Sequence, residues 1–299
     1  MTKKLKRNFV SGLLRTLTRW NRYIPLSKFP MGYFYSPIVS KHDIDGFENQ
    51  IWEEQNGNFI SSIDLNTDAQ LQLVKEFKNY YAELPFSEQK TDTTRYYLDN
   101  SSYAYTDGIM LYSMIRHFQP RRIIEIGSGY SSAMMLDTKE LFNPKMEITF
   151  IDPYPKKLYS TFKKSDTSSC TVLDKKVQSV SLDVFKTLEA NDILFIDSSH
   201  VSKTGSDVNY ELFKILPVLQ SGVIIHIHDI FYPFEYPKEW VYDGRNWNEA
   251  YLMRAFLSHN TDYEILLFSH YLHTRHPEVF KNMPLAYKNQ GGNLWIRKK

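Results

Sequence analysis

The stretch RRIIEIGSGYSSAMML occupies residues 121–136. A basic pair leads into a short run of isoleucines, with an acid at Glu125. Gly127 and Gly129 follow, and small polar residues then open an apolar helical pattern. A strand that turns on glycines into a helix is a nucleotide-holding arrangement. The turn lets a ligand approach the backbone, and the helix start offers unpaired N–H groups.

Downstream the pattern repeats as a rhythm of apolar runs and amphipathic segments. MEITFID reads as a strand ending in Asp152, CTVLDKKVQSV as a weaker strand ending near Ser179, and DILFID as a strand ending in Asp197. GVIIHIHD follows as a strand ending in Asp229, and DYEILLF and GNLWIRK as late strands. SAMMLDTKELF, NYELFKILPVLQ and WNEAYLMRAFLSHN read as the helices between them. Alternating strands and helices predict an α/β fold, a mostly parallel Rossmann-like sheet with helices on both faces and an antiparallel edge.

Upstream, residues 1–30 read as a basic amphipathic helix. Phe9, Leu13, Leu17 and Trp20 share one face, and no acid precedes Asp43. Such a helix packs on the main domain or on a second copy in a homodimer; the alternative is a peripheral contact with an anionic membrane surface. Residues 31–100 read as a helical and loop region, with Leu71, Val74, Phe77 and Tyr81 on one helix face, and residues 101–299 as the nucleotide-binding domain. The single cysteine, Cys170, excludes an internal disulfide and a cysteine-built zinc site. No apolar run approaches the roughly 18 residues of a membrane span, and the chain reads as cytoplasmic. With a net charge of +2 and no basic stripe interleaved with aromatics beside the glycine turn, nucleic acid is not expected as a partner.

Three ligands compete for the turn formed by Gly127, Ser128 and Gly129. A P-loop needs a lysine after its last glycine, and Ser131 and Ser132 stand in that region. A dinucleotide fingerprint needs a third glycine, which Ser132 replaces, although Asp152 lies at a suitable distance for a ribose. This reading, an NAD-dependent oxidoreductase, stays open. The third ligand is S-adenosylmethionine. Glu125 suits a ligand that carries an ammonium and no phosphate, and the two oxygens of Asp152 can accept both ribose hydroxyls.

EIGSGYSS, FIDP, the long run from DILFID to FEYP, and WNEAYLMRAFL together resemble a class I S-adenosylmethionine-dependent methyltransferase. More narrowly, they are similar to the branch of macrocin-type sugar O-methyltransferases and cephalosporin-hydroxylase-like proteins. The resemblance covers about residues 100–270. It implies a seven-stranded sheet whose last strand is antiparallel, and an Asp-x-x-His plus an acidic pair that hold magnesium and supply a base. In this sequence those positions are Asp197, His200, His228 and Asp229. The histidine at 228 departs from the acidic pair, and shifts the expected divalent cation from magnesium toward manganese, iron or zinc. His200 is the expected general base, and Tyr105, by analogy of fold, closes over the methionine end of the cofactor. His226 is expected to be a buried, hydrogen-bonded histidine.

The aromatic run after Asp229 reads as a lid, with Trp240, Tyr242, Arg245 and Trp247 stacking on a sugar or ring, or as the ordinary packing of a long loop. The expected activity is O-methylation of a hydroxyl on a small molecule or glycan. A non-catalytic binding protein that keeps the fold is the remaining alternative.

Overall fold

The structure is a computed structural model that describes residues 28–53, 60 and 62–299. The helix expected within residues 1–30 lies outside the described residues but for its last three positions. The chain divides into two compact units, residues 1–47 and residues 48–299. In the first, Ser40 and Asp43 cap the short helix Lys41–Ile44 reciprocally: the Ser40 hydroxyl accepts from the Asp43 N–H, and the Asp43 carboxylate accepts from the Ser40 N–H at 2.8 Å.

The second unit is built on seven strands: β1 Arg122–Ile126, β2 Glu147–Ile151, β3 Thr171–Leu173, β4 Ile193–Ile196, β5 Ile224–Ile227, β6 Tyr263–Phe268 and β7 Leu294–Lys298. Their order is β3-β2-β1-β4-β5-β7-β6, parallel except at β7, which pairs antiparallel with both β5 and β6. This is the expected architecture. β4 and β5 are buried at every position, as strands covered on both faces must be, and their sequences are accordingly unbroken Ile/Leu/Phe runs but for His226.

The main helices are α1 Thr67–Tyr81, α2 Thr106–Phe118, α3 Tyr130–Phe142, α4 Glu249–Leu257 and α5 Ser269–Arg275. α1 buries Val74 and Phe77, two of the residues its periodicity placed on one face. α2 is buried over most of its length. The third strand is shorter than its sequence suggested, and Ser179 falls in a separate 3-10 turn, Val177–Ser179. Two lysines and an aspartate after Leu173 leave no apolar side chain to continue the ladder.

Arg95 fastens the segment before α2 onto α3. Its buried guanidinium donates to Asp137 at 2.6 Å and, bidentately, to Asp166 at 2.8 and 2.5 Å. Removing the arginine would leave buried carboxylates without their cation, a loss of about 3–5 kcal/mol.

The sheet order reverses between β1 and β4, and the strand ends are stitched there one residue beyond the regular ladder. Gly127 N–H donates to the Ile151 carbonyl at 3.0 Å, Asp197 N–H to Ile126 at 2.9 Å, and His228 N–H to Ile196 at 2.9 Å. These bonds bring the residues that follow β1, β4 and β5 to a common rim at the carboxyl ends of the strands, where ligands bind in open α/β sheets.

Candidate active site

The glycine turn is shaped by its neighbours. Gly127 has φ +80°, and a Cβ there would fall 1.8 Å from the Asp197 carbonyl oxygen, so only glycine fits. At Gly129 the atoms nearest to an added Cβ would be the outer atoms of the Lys157 side chain, at 3.8–3.9 Å, which leaves a cradle. Asp152 is half-buried at the end of β2; it accepts from the Ser128 hydroxyl at 2.5 Å and from the Tyr154 N–H at 2.7 Å. Cradle, hydroxyl and carboxylate fit the ribose end of a nucleoside.

Glu125, expected to face the cofactor's ammonium, is engaged by two serines. It is wholly buried, and its two oxygens accept from the hydroxyls of Ser131 and Ser132, each at 2.5 Å. Burial pushes its carboxyl up to about 8, against the pull of those two hydroxyls. It therefore braces the first turn of α3 against β1. The Tyr105 hydroxyl donates to Glu88 at 2.9 Å, and Lys288 lies over its ring.

Beside the turn, Asp197, His200, His228 and Asp229 do converge. The Nε2 of His200 stands 3.3 Å from Asp197 Oδ1 and 3.6 Å from Asp229 Oδ2, and its Nδ1 stands 2.9 Å from Glu249 Oε2. His228 Nε2 is 3.6 Å from Asp229 Oδ1. Burial opposes charge on His200, but its bonds to Asp197 and Glu249 outweigh that and hold the imidazole protonated well above its ordinary range. His228 is likewise raised, with Asp229, Asp197 and Asp107 outweighing burial. Asp197 is lowered: burial raises it, and His228 and His200 more than compensate.

His200 and Asp229 both adopt left-handed backbone, at φ +59° and +56°. Such strain is sustained by the surrounding structure. The His200 carbonyl accepts from Asn248 and Glu249 N–H, and Gly292 passes so close to Asp229 that a Cβ there would be 3.0 Å from its Cα.

The expected cation ligands thus meet, but on an imidazole. Asp197 and Asp229 share the nitrogen of His200 as their common partner, and among the described residues no three His, Cys, Asp or Glu are arranged to hold a metal ion. The donor set does not fit the divalent cation that the sequence suggested.

These four residues form the floor of a cavity of about 790 Å³. Its walls include Trp52, Phe231, Tyr236, Trp240 and Trp247, and Asp107 and Gly292 close one side. The run after Asp229 is divided between the two roles its sequence allowed. Tyr232, Phe234 and Tyr236 are buried, with Phe234 packed on Phe268 in the core, whereas Trp240 and Trp247 face the cavity with Arg245 over the Trp240 ring. Tyr242 instead reaches the Glu48 carboxylate. Asp107 accepts from the Gly292 N–H at 2.9 Å, and burial pushes its carboxyl up to about 6.

His226 is buried as expected but not hydrogen-bonded. Neither ring nitrogen has a partner among the described residues, and the ring stacks on Phe195 at 4.0 Å, so burial drives its pKa well below the ordinary value. Sequence reading also missed Glu249, which periodicity makes an ordinary helix-start acid, and the cavity residues Trp52 and Gly292. The spacing between Glu249 and His200 carries no local signal that could have found the pair.

Residues 124–230 match the sequence model of a methyltransferase domain. An uncharacterized protein of Archaeoglobus fulgidus is 34% identical over 185 residues, which span 59% of this chain and 82% of that protein. Among solved structures, a Podospora anserina methyltransferase with S-adenosylhomocysteine bound is 18% identical at a TM-score of 0.42, covering 76% of this chain and 88% of that one. The O-methyltransferase TomG of Streptomyces achromogenes is 16% identical at 0.40, covering 77% and 89%. An O-methyltransferase of Bacillus cereus is 12% identical at 0.41, covering 86% and 97%.

Proposed function

We propose that this chain, whose residues 124–230 match a methyltransferase domain, is a class I S-adenosylmethionine-dependent methyltransferase that methylates a hydroxyl on a small molecule or glycan held in the aromatic cavity. The observation that carries this reading is the placement of His200: oriented by Glu249, with Nε2 turned toward two carboxylates on the cavity floor.

When bound, S-adenosylmethionine supplies an electrophilic methyl group on a sulfonium. The residues suited to its nucleoside are Gly127, Ser128, Gly129 and Asp152. The chain's remaining work is to place the acceptor oxygen and to take its proton. Glu249 accepts the Nδ1 proton of His200 and so fixes the ring; Nε2 is then the atom that receives the acceptor's proton. A base with a raised pKa takes a proton from an alcohol more readily, but a smaller fraction of it is deprotonated near neutral pH. Trp240 and Trp247 offer flat faces to a sugar or an aromatic ring, and Asp107 and Asp229 offer acceptors for its hydroxyls. No step in this scheme uses a divalent cation.

The test is methyl incorporation. Purified protein is incubated with labelled S-adenosylmethionine and a panel of glycans, glycosides and phenols, and products are read by mass. Transfer to an oxygen supports the reading. Transfer only to nitrogen, or none to any acceptor while the cofactor still binds, would sink it.

A further inference from the structure

Resting on the cofactor reading above, one side chain at the glycine turn has no described task. Lys157 lies on the short helix Lys156–Thr161 after β2, and its Nζ reaches back over the turn. The ammonium sits 4.4 Å from the centre of the Tyr130 ring and donates to the Ser102 hydroxyl at 3.1 Å. Tyr130 is held in place by Tyr97, their hydroxyls 2.9 Å apart. Ser102 in turn lines the cavity, so Lys157 reaches from the glycine turn to a residue of the cavity wall.

The hydrogen-bond partner of this ammonium is a neutral hydroxyl, and Asp197 acts on it only through its field. Arg245, the cation in the cavity wall, contrasts with it, being paired with Asp243 at 3.3 Å. Desolvation lowers the Lys157 pKa, and the field of Asp197 only partly restores it. The rim otherwise presents the acids Asp107, Asp152, Asp197 and Asp229, and its two raised imidazoles, His200 and His228, already stand beside Asp197 and Asp229. A ligand whose far end is an α-amino acid carries one positive and one negative group. The acids can satisfy the first, and an ammonium without an anion is what the second requires.

We infer that Lys157 receives the carboxylate of the cofactor's amino-acid end, and so makes the site select S-adenosylmethionine over nucleosides that lack that carboxylate. Tyr130 and Ser102 position the ammonium before the ligand arrives, which limits the ordering that binding requires.

The test is calorimetry on the full chain with two ligands, S-adenosylmethionine and its decarboxylated form, which differ by the carboxylate alone. The wild type is expected to prefer the first by about tenfold, the low end for a charge-assisted bond near solvent. Lys157→Gln should weaken S-adenosylmethionine by about the same factor, leave the decarboxylated ligand unchanged, and erase the preference. Lys157→Arg should restore most of it. Lys157 is solvent-exposed, so an unchanged melting temperature is expected for both variants. Equal weakening of both ligands by Lys157→Gln, or tighter binding of either, overturns the inference while leaving the cofactor reading intact. Failure of the wild type to bind S-adenosylmethionine overturns both.

Discussion

The two halves of the site are built in opposite ways. The glycine turn proposed to hold the nucleoside comes from one short stretch: Gly127, Ser128 and Gly129 form it, and Glu125 fastens it through Ser131 and Ser132. Only Asp152 joins from the neighbouring strand. The acceptor cavity is assembled from distant segments. Trp52, Asp107, His200, Asp229, Trp247 and Gly292 meet there, and the bond that orients its central histidine spans 49 positions, from His200 to Glu249. A cradle of this kind depends on backbone shape, and a cavity of this kind on side-chain charge. The halves should therefore fail differently when disturbed.

The largest effect is expected in the cavity. His200→Gln should lower kcat by about a thousandfold, within the range for losing a general base, while cofactor affinity stays within about twofold. Parallel calorimetry and turnover assays check this; a loss of affinity matching the loss of rate would merge the two halves. Gly127→Ala should act through the backbone, with a destabilisation of about 3 kcal/mol from left-handed strain and overlap with Asp197. Urea denaturation measures it, and a variant as stable as the wild type would refute the close approach of β1 and β4.

Glu249→Gln comes next. It keeps the shape but removes the charge that holds the protonated ring, and kcat should fall about 10- to 100-fold with a loss of stability of about 1–3 kcal/mol. The same pair predicts a pH dependence. His200 has its folded pKa raised above the ordinary value near 6.5, so its stabilising charge is fully present below that pH and is lost as pH rises through the folded pKa. A base must first shed that proton. Hence kcat/KM should climb on the alkaline side of about 6.5 while the His200 contribution to stability declines. A flat rate profile across that window would remove His200 as the base.

The smallest effects should be two near-silent changes. A chelator should alter turnover by less than about twofold, because the carboxylates of Asp197 and Asp229 converge on an imidazole. Glu125→Gln should shift cofactor affinity by less than about threefold, because burial already favours the neutral carboxyl, and the amide oxygen accepts from one serine while its nitrogen donates to the other. A tenfold loss would mean that the charge at Glu125 reaches the ligand after all.

How much of this was legible in advance follows the same division. The glycines, the strand-tip aspartates and the sheet class were readable, because parallel strands buried on both faces demand unbroken apolar runs and tight turns demand glycine. A tyrosine beside a turn carries no mark of where its hydroxyl points, and for Tyr105 Glu88 and Lys288 decide that. Among the described residues no helix is long and apolar enough to cross a membrane, which agrees with the absence of a long apolar run.

By itself, then, the sequence determined the fold and the nucleoside turn, through periodicity and backbone preference, which act over a few residues. The tertiary structure alone decided that Glu125 is a brace, that Glu249 orients His200, and that an imidazole stands between two carboxylates expected to bind a metal. Burial and charge depend on every neighbour in space, and those neighbours are set by the packing of segments far apart in the chain.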